Sequence, residues 1–454
     1  VIFVKRKGTF QPYRVPWFVL CRNNESGTVL IVTMWIVLVL AGLVLVFSRS
    51  MRVEAIASAN YITSLQAEAV TRGAVQFVLS QLKSNEGSLQ LEGEDLYADV
   101  KVGDGSFWIL RPNLDDDRTY SFGIQDEASK INLNSAPMEM LLKLPGMTAE
   151  LAAAIIDWRD ADSEVSPGGA ESEYYLLLPD PYYCKDAPFE TVEELLLVKG
   201  ASRDLLYGED TNRNGVLDSN ENDADESEPP DNKDGKLDRG LLDYITVYTR
   251  EPNVSQSGER RINVNDVRGN GLRDLLREVI KEDKFFQVMD QVRGGRPFRN
   301  IIDFYFRTGL EISEFQQIAD RLTTTENESI VGLINVNTAS RAVLLCLPEL
   351  EESDVDALIA KRASSGTDLS SIAWVAEALP QEKAVAIGGY ITTRSFQYSA
   401  DIVSVSGDGR AYKRNRIVLD TRDNAVRFLY WKDLTSLGWP LDPEIISTLR
   451  SGLS

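Results

Sequence analysis

From Asp210 to Glu221 the chain reads DTNRNGVLDSNE. Oxygen-bearing residues stand at the first, third, fifth, ninth and twelfth places, Gly215 at the sixth and Leu217 at the eighth. This is the spacing of an EF-hand loop, in which alternate side chains converge on a hard cation that takes about six to eight oxygens. The expected Ca²⁺ ligands are Asp210, Asn212, Asn214, the Val216 carbonyl, Asp218 and Glu221. A second stretch, PDNKDGKLDRG from Pro230, puts Asn232, Asp234, Gly235 and Asp238 in the same phase, but Pro230 and Leu241 occupy the first and twelfth places. It reads as half a loop, either sharing or adjoining the first ion with Asp223, Asp225 or Asp231 completing it, or remaining a solvated acidic turn. The ion's role is structural: crowded carboxylates repel, and a bound cation turns that repulsion into a cross-link that adds to folding.

Other chemistry is constrained by composition. The 454 residues contain no His, which removes His-based triads, general bases and zinc sites. Cys21, Cys184 and Cys346 have no metal-ligand spacing; a Cys184–Cys346 disulfide and a buried thiol at Cys346 are both open readings. With 48 Lys and Arg against 69 Asp and Glu, the net charge of −21 opposes phosphate-backbone binding. No catalytic residue is identified, and the chain reads as a non-enzyme.

The elements that carry this loop begin with a membrane segment. Thr28 to Phe47 is uncharged, and about twenty apolar residues in a helix span a bilayer core. Lys5, Arg6, Lys7, Arg14 and Arg22 precede it, which places the N-terminus on the cytoplasmic side and the bulk across the membrane. The apolar run continues into an amphipathic helix, with Val53, Ile56, Tyr61, Leu65, Ala69, Val75, Val78 and Leu82 at three- and four-residue steps and no Pro from Thr28 to Lys83. Arg49 and Arg52 suit headgroups, and the acid run Asp115, Asp116 and Asp117 reads as a solvated turn.

The middle of the chain repeats itself. INLNSAPMEMLLKLPGMTAELAAAIIDWRD from Ile131 predicts an extended entry, a helix started by Ser135 and Pro137, a turn at Gly146 and a second helix. INVNTASRAVLLCLPELEESDVDALIAKR from Ile334 repeats it with Glu349 at the turn, and INVNDVRGNGLRDLLREV from Ile262 is a partial copy. Trailing halves follow at Ala187, Arg296 and Thr367. The repetition predicts an all-α centre.

The two-part helix resembles that of type IV pilins and pseudopilins, in which a prepilin peptidase cuts after a leader Gly; Gly27 and Thr28 fit that junction. The fifth residue of the mature chain would be Val32, where most of the family carry Glu. A subunit with none ahead of it needs no such carboxylate. The central repeats resemble helix-hairpin-helix modules, and the run Asp157, Trp158, Arg159, Asp160, Ala161, Asp162 with its Gly-Ala and Tyr-rich sequel resembles the type II secretion minor pseudopilin K family. That resemblance implies calcium in the helical domain, partners of the I and J type, inner-membrane anchoring and a periplasmic body at the pseudopilus tip.

Alternating patterns from Leu96 and Ser395, with a further strand from Ala425, frame the centre. The expected fold is α+β: a long pilin helix and a small antiparallel-sheet pilin domain, interrupted by a large all-α domain of helix-hairpin-helix (SAM-like) repeats. The expected boundaries are a basic leader at 1–27, the helix at 28–83, pilin segments at 84–125 and 391–454, and the insertion at 126–390. The expected function is a minor pseudopilin that initiates pseudopilus assembly for export across the outer membrane. The alternative is a membrane-anchored helix-hairpin-helix DNA receptor, which the acids around Lys143 oppose.

Overall fold

In the computed structural model, the N-terminal helix runs unbroken from Glu25 to Ser84. The residues described are 25–84, 93–114, 116–224, 226, 227, 229, 231–266, 268–423 and 425–452; the basic leader residues, Cys21, Asp115, Asp225 and Pro230 lie outside them. Two units are distinguished, residues 1–61 and 62–454.

In the first unit, the helical residues from Val29 to Phe47 hold Val, Leu, Ile, Met, Trp and Phe exposed. A helix apolar on every side has no polar face to give to water, and this one is long and apolar enough to cross a membrane.

In the second unit, Val70, Ala74, Val75, Val78 and Leu82 form a buried helical stripe. It packs on an antiparallel sheet whose strands lie in the order Val100–Val102, Gly105–Arg111, Gln397–Val405, Tyr412–Asp420, Arg427–Asp433. Short strands Ser121–Phe122 and Gln125–Asp126 join it. Because side chains alternate across a strand, Phe107, Ile109, Ala400, Ile402, Ile417 and Leu419 face the helix. Trp108, Leu110, Val403 and Val405 pack on the other side with Leu441 and Trp439. Each fully buried aliphatic chain contributes roughly 1.5–3 kcal/mol, so this two-sided sheet is a core in its own right. The last segment forms a helix, Pro443–Ser451, that the sequence reading left unassigned. Its signal was present: Pro443 in the first turn, and Asp442 accepting from the Glu444 amide at 2.8 Å.

Between the two groups of sheet strands stand three copies of one unit, each opened by Ile-Asn. Asn134 accepts from the Phe189 amide at 2.7 Å and donates to the Phe189 carbonyl at 3.0 Å. Asn265 makes the same pair with Phe298, at 2.8 and 3.0 Å. Asn337 donates to the Leu369 carbonyl and accepts from the Trp374 indole. One polar side chain thus staples each leading half to its trailing half. Arg159 donates to the Leu133 and Ala136 carbonyls, and Arg362 does the same at Val336 and Ala339. The all-α expectation needs correction here. Each copy is closed by a two-residue parallel pair, Ile131 with Ile245, Ile262 with Leu322 and Ile334 with Ile391, and Arg250–Pro252 pairs with Ser329–Val331. Two residues show no alternation, and their partners lie far along the chain.

The first hairpin consists of Met138–Leu141, a turn with Gly146 at φ +65°, and Ala149–Arg159. Ser135 does not cap it: the first helix follows Pro137 with no side-chain cap, and Thr148 caps the second by accepting from the Leu151 amide. In the third copy Ser340 is the cap, and Glu349 takes the turn at φ +57°, a conformation that costs a residue with a Cβ. Cys184 and Cys346 are separate buried thiols.

Candidate metal centre

The segment holding the acidic loop is pinched at its base. Gly208 and Gly240 both have φ near +60°, and a Cβ on Gly208 would sit 2.0 Å from the Asp238 carbonyl oxygen. Only Gly permits this approach. The Glu209 amide then donates to the Asp238 carbonyl at 2.8 Å, while the Glu209 carboxylate accepts from the Asn232 and Asp238 amides.

Within the first loop the predicted ligands converge. Asp210, 6 % exposed, accepts from the Asn214 and Gly215 amides at 3.0 and 2.9 Å. Asn212 and Asn214 both donate to Asp218 Oδ2, at 2.6 and 3.1 Å. Glu221, almost fully buried, closes the ring: Oε1 accepts from Thr211 and Oε2 from the Asp218 amide at 3.1 Å. Val216 is buried and donates its amide to Asn214. Gly215, at φ +75°, makes the sharp turn required at the sixth place. Burial, followed by the nearby Glu221 and Asp243 carboxylates, pushes the Asp210 carboxyl up to about 7. Burial also raises Glu221. Three acids and two amides drawn into one space are a donor set of hard oxygens, which fits Ca²⁺.

The half-loop has the same backbone and a different environment. Arg213 and Lys233, at the fourth place of each loop, have φ of +56° and +54°; Gly215 and Gly235 have +75° and +76°. Asn232, Asp234 and Asp238 are nevertheless exposed, and each accepts from the amide two residues on. Leu241, at the twelfth place, is buried in the apolar core. Asp117 connects the two loops: its carbonyl accepts from the Leu217 amide at 2.7 Å and its carboxylate from the Leu237 amide at 2.9 Å. Asp117 is thus a structural bridge rather than merely solvated.

Two further groups hold the first loop, and the sequence reading did not single them out. Arg414, from strand Tyr412–Asp420, is 0 % exposed and donates to the Asn212 and Arg213 carbonyls. Its charge is met by Asp401 on the adjacent strand, at 2.7 and 2.9 Å. The signal was an Arg at an inward position of a strand. Arg213 in turn lies over the Tyr207 ring, 3.8 Å from its centroid.

The other predicted positions are placed as follows. Gly27 and Thr28 are exposed near the start of the long helix, and Phe47 is exposed within its apolar half. Lys143, the base beside the first hairpin turn, donates to the Leu347 carbonyl at 2.6 Å. Leu205 covers the turn itself, 2.8 Å from where a Gly146 Cβ would lie. A phosphate strand would find neither a free ammonium nor an open turn there.

No curated protein sequence matches the chain significantly. Among solved structures, the GspK-GspI-GspJ complex of the enterotoxigenic Escherichia coli type 2 secretion system is similar at 10% sequence identity and a TM-score of 0.42, covering 84% of this chain and 99% of that one. Residues 123–207, which hold the first hairpin and the Asp-Trp-Arg-Asp run, match the family described as type II secretion system (T2SS), protein K.

Proposed function

We propose that this chain is a minor pseudopilin that caps the tip of the type II secretion pseudopilus and initiates its assembly with I- and J-type minor pseudopilins, for protein export across the outer membrane. The observation that carries this reading is the family match at residues 123–207, joined to a long helix whose apolar half is exposed. That half suits both an inner-membrane anchor and helix packing within a filament. The family is a structural component, and the chain acts by assembly rather than catalysis. A body with three added helical copies is too bulky for lateral stacking along a thin filament, which favours the terminal position. Cleavage by prepilin peptidase between Gly27 and Thr28 leaves the helix attached and the bulk periplasmic.

Calcium serves this role by holding the loop against the sheet. Asp210, Asn212, Asn214, the Val216 carbonyl, Asp218 and Glu221 would hold the ion, and the half-loop residues Asn232, Asp234 and Asp238 would stiffen its flank. Bound there, Ca²⁺ supplies the counter-charge that buried Asp210 and Glu221 need.

The test is co-expression with I- and J-type subunits. Recovery of a stable ternary complex in detergent, together with loss of secretion on deletion of the gene, supports the reading. A chain that neither joins that complex nor is needed for secretion would refute it.

A further inference from the structure

A cavity of about 280 Å³ lies between the second and third repeats, near the lower end of the range for small-ligand pockets, about 300 Å³. Leu322 and Thr323 close the second repeat, Ile391 and Thr392 close the third, and both pairs line this space. Glu251 and Ile330 reach it from the paired strands Arg250–Pro252 and Ser329–Val331. Arg299 and Asn300 stand at the start of helix Ile301–Thr308. The chain passes Asn300 closely at Gly388, where a Cβ would lie 2.6 Å from Asn300 Oδ1.

The charge of this cavity opposes that of the chain. Its lining holds Arg261, Arg299 and Arg394 against Glu251 and Asp320, a surplus of one positive charge in a chain of net charge −21. Both acids are already engaged. Arg261 meets Glu251 at 2.7 Å and Asp320 at 3.4 Å, Arg394 meets Asp320 at 3.4 Å, and the Thr392 hydroxyl donates to Glu251 at 2.7 Å. Burial, reinforced by the neighbouring Arg261, lowers the Arg394 pKa below its ordinary value although Glu251 and Asp320 act against the shift. Arg299 is exposed, and among the described residues its guanidinium makes no hydrogen bond or ion pair; only its backbone amide is engaged, donating to Asp303 at 3.0 Å. An exposed arginine alone would mean little, but this one borders a walled space with charge to spare.

We propose that this cavity binds a carboxylate attached to an aliphatic group, the chemistry of a polypeptide's C-terminal residue or of a small branched acid. One carboxylate cancels the surplus charge, whereas a phosphate monoester, at about −1.5 to −2, would overfill it. Arg299 offers the planar donor fork that matches a carboxylate. Thr324, Ser370 and Thr393 bring hydroxyls to the lining for an adjoining amide, and Leu322, Ile330 and Ile372 bring apolar wall for an aliphatic side chain.

The experiment titrates the full chain in detergent, by calorimetry, with N-acetyl-Ala-Leu, the same dipeptide as its C-terminal amide, 4-methylpentanoate and inorganic phosphate. The dipeptide acid should bind, and its amide should bind about tenfold more weakly, since the charge on the hydrogen-bonded group is lost. Arg299→Gln should weaken the acid by about tenfold at an unchanged melting temperature, because the guanidinium supports no other contact. Arg410→Gln, in the turn between strands Gln397–Val405 and Tyr412–Asp420, should leave binding as it was. If 4-methylpentanoate binds as tightly as the dipeptide, the ligand is a free acid; if it binds more weakly, the adjoining amide contributes and a polypeptide end is the source. Either result supports the carboxylate site. No binding at millimolar dipeptide, equal binding of the amide, or tighter binding of phosphate would overturn it, and these measurements on the parent chain stand even if a variant fails to fold. Unchanged dipeptide affinity in a folded Arg299→Gln chain would overturn it as well.

Discussion

Arg414→Met tests whether the sheet holds the acidic loop. The substitution keeps most of the buried volume and removes the charge. It leaves Asp401 without its partner and the Asn212 and Arg213 carbonyls without their donor. Breaking a buried ion pair from one side costs about 3–5 kcal/mol. Asp401 is 14 % exposed and gains some relief from water, so the lower end, about 3 kcal/mol, is expected. For a cooperative unit of roughly 390 residues the unfolding entropy is about 0.8 kcal/mol per degree, so the melting temperature should fall by about 4 °C. The two carbonyl bonds contribute about 1 kcal/mol each. If they prearrange the loop, the Ca²⁺ dissociation constant should rise by up to about thirtyfold. The assay is a calorimetric melt of the full chain in detergent, with chelator and with saturating Ca²⁺. Arg414→Met/Asp401→Leu should recover part of the loss, because an apolar pair leaves no buried charge unpaired. A single variant that melts within a degree of the parent, or a double variant as unstable as the sum of the two, would refute the argument.

Further outcomes follow from the same structure. Gly208→Ala should cost at least about 2 kcal/mol, read by urea unfolding, because its Cβ has no room beside the Asp238 carbonyl. Asn134→Ala and Asn265→Ala should each cost about 1–3 kcal/mol in the same assay, since each leaves a backbone amide and carbonyl unpaired. Burial acts to raise the Glu193 carboxyl, but Lys432 and Tyr430, each at 2.7 Å, outweigh it and hold the group below its ordinary range. A depressed carboxyl stabilises the fold above the unfolded value of 4.5 and loses that contribution as pH falls through the folded value. Glu193→Gln should therefore lower the melting temperature at pH 7 and narrow the difference from the parent at pH 3.

The long helix, the framing strands and the three leading halves were legible because each rests on local pattern: uniform apolarity, alternation, or a repeated Ile-Asn start. Glu349 could be placed at a turn before its φ was known, since it occupied the position of Gly146. The pairing of Ile131 with Ile245 was not legible, because a two-residue strand has no periodicity and its partner is distant. The convergence of side chains in the first loop followed from twelve-residue spacing, yet Arg414, which holds the loop from behind, lies far from it in sequence. Likewise, the exposure of the half-loop donors depends on what packs beside them, which spacing does not encode.

The pairing of Leu110 with Asp401 has a consequence for how the molecule is made. During synthesis the early strands emerge long before the strand that must lie between them and the rest of the sheet. Each central copy takes both strands of its short parallel pair from its own segment and can form that pairing as it appears. The sheet is the last structure to be completed. Until then Gly105–Arg111, with Phe107, Trp108 and Ile109, presents an open edge. A chain arrested before Gln397 would therefore carry paired repeats on an unfinished sheet, exposing a row of unpaired amides and carbonyls to chaperones, proteases or another unfinished copy.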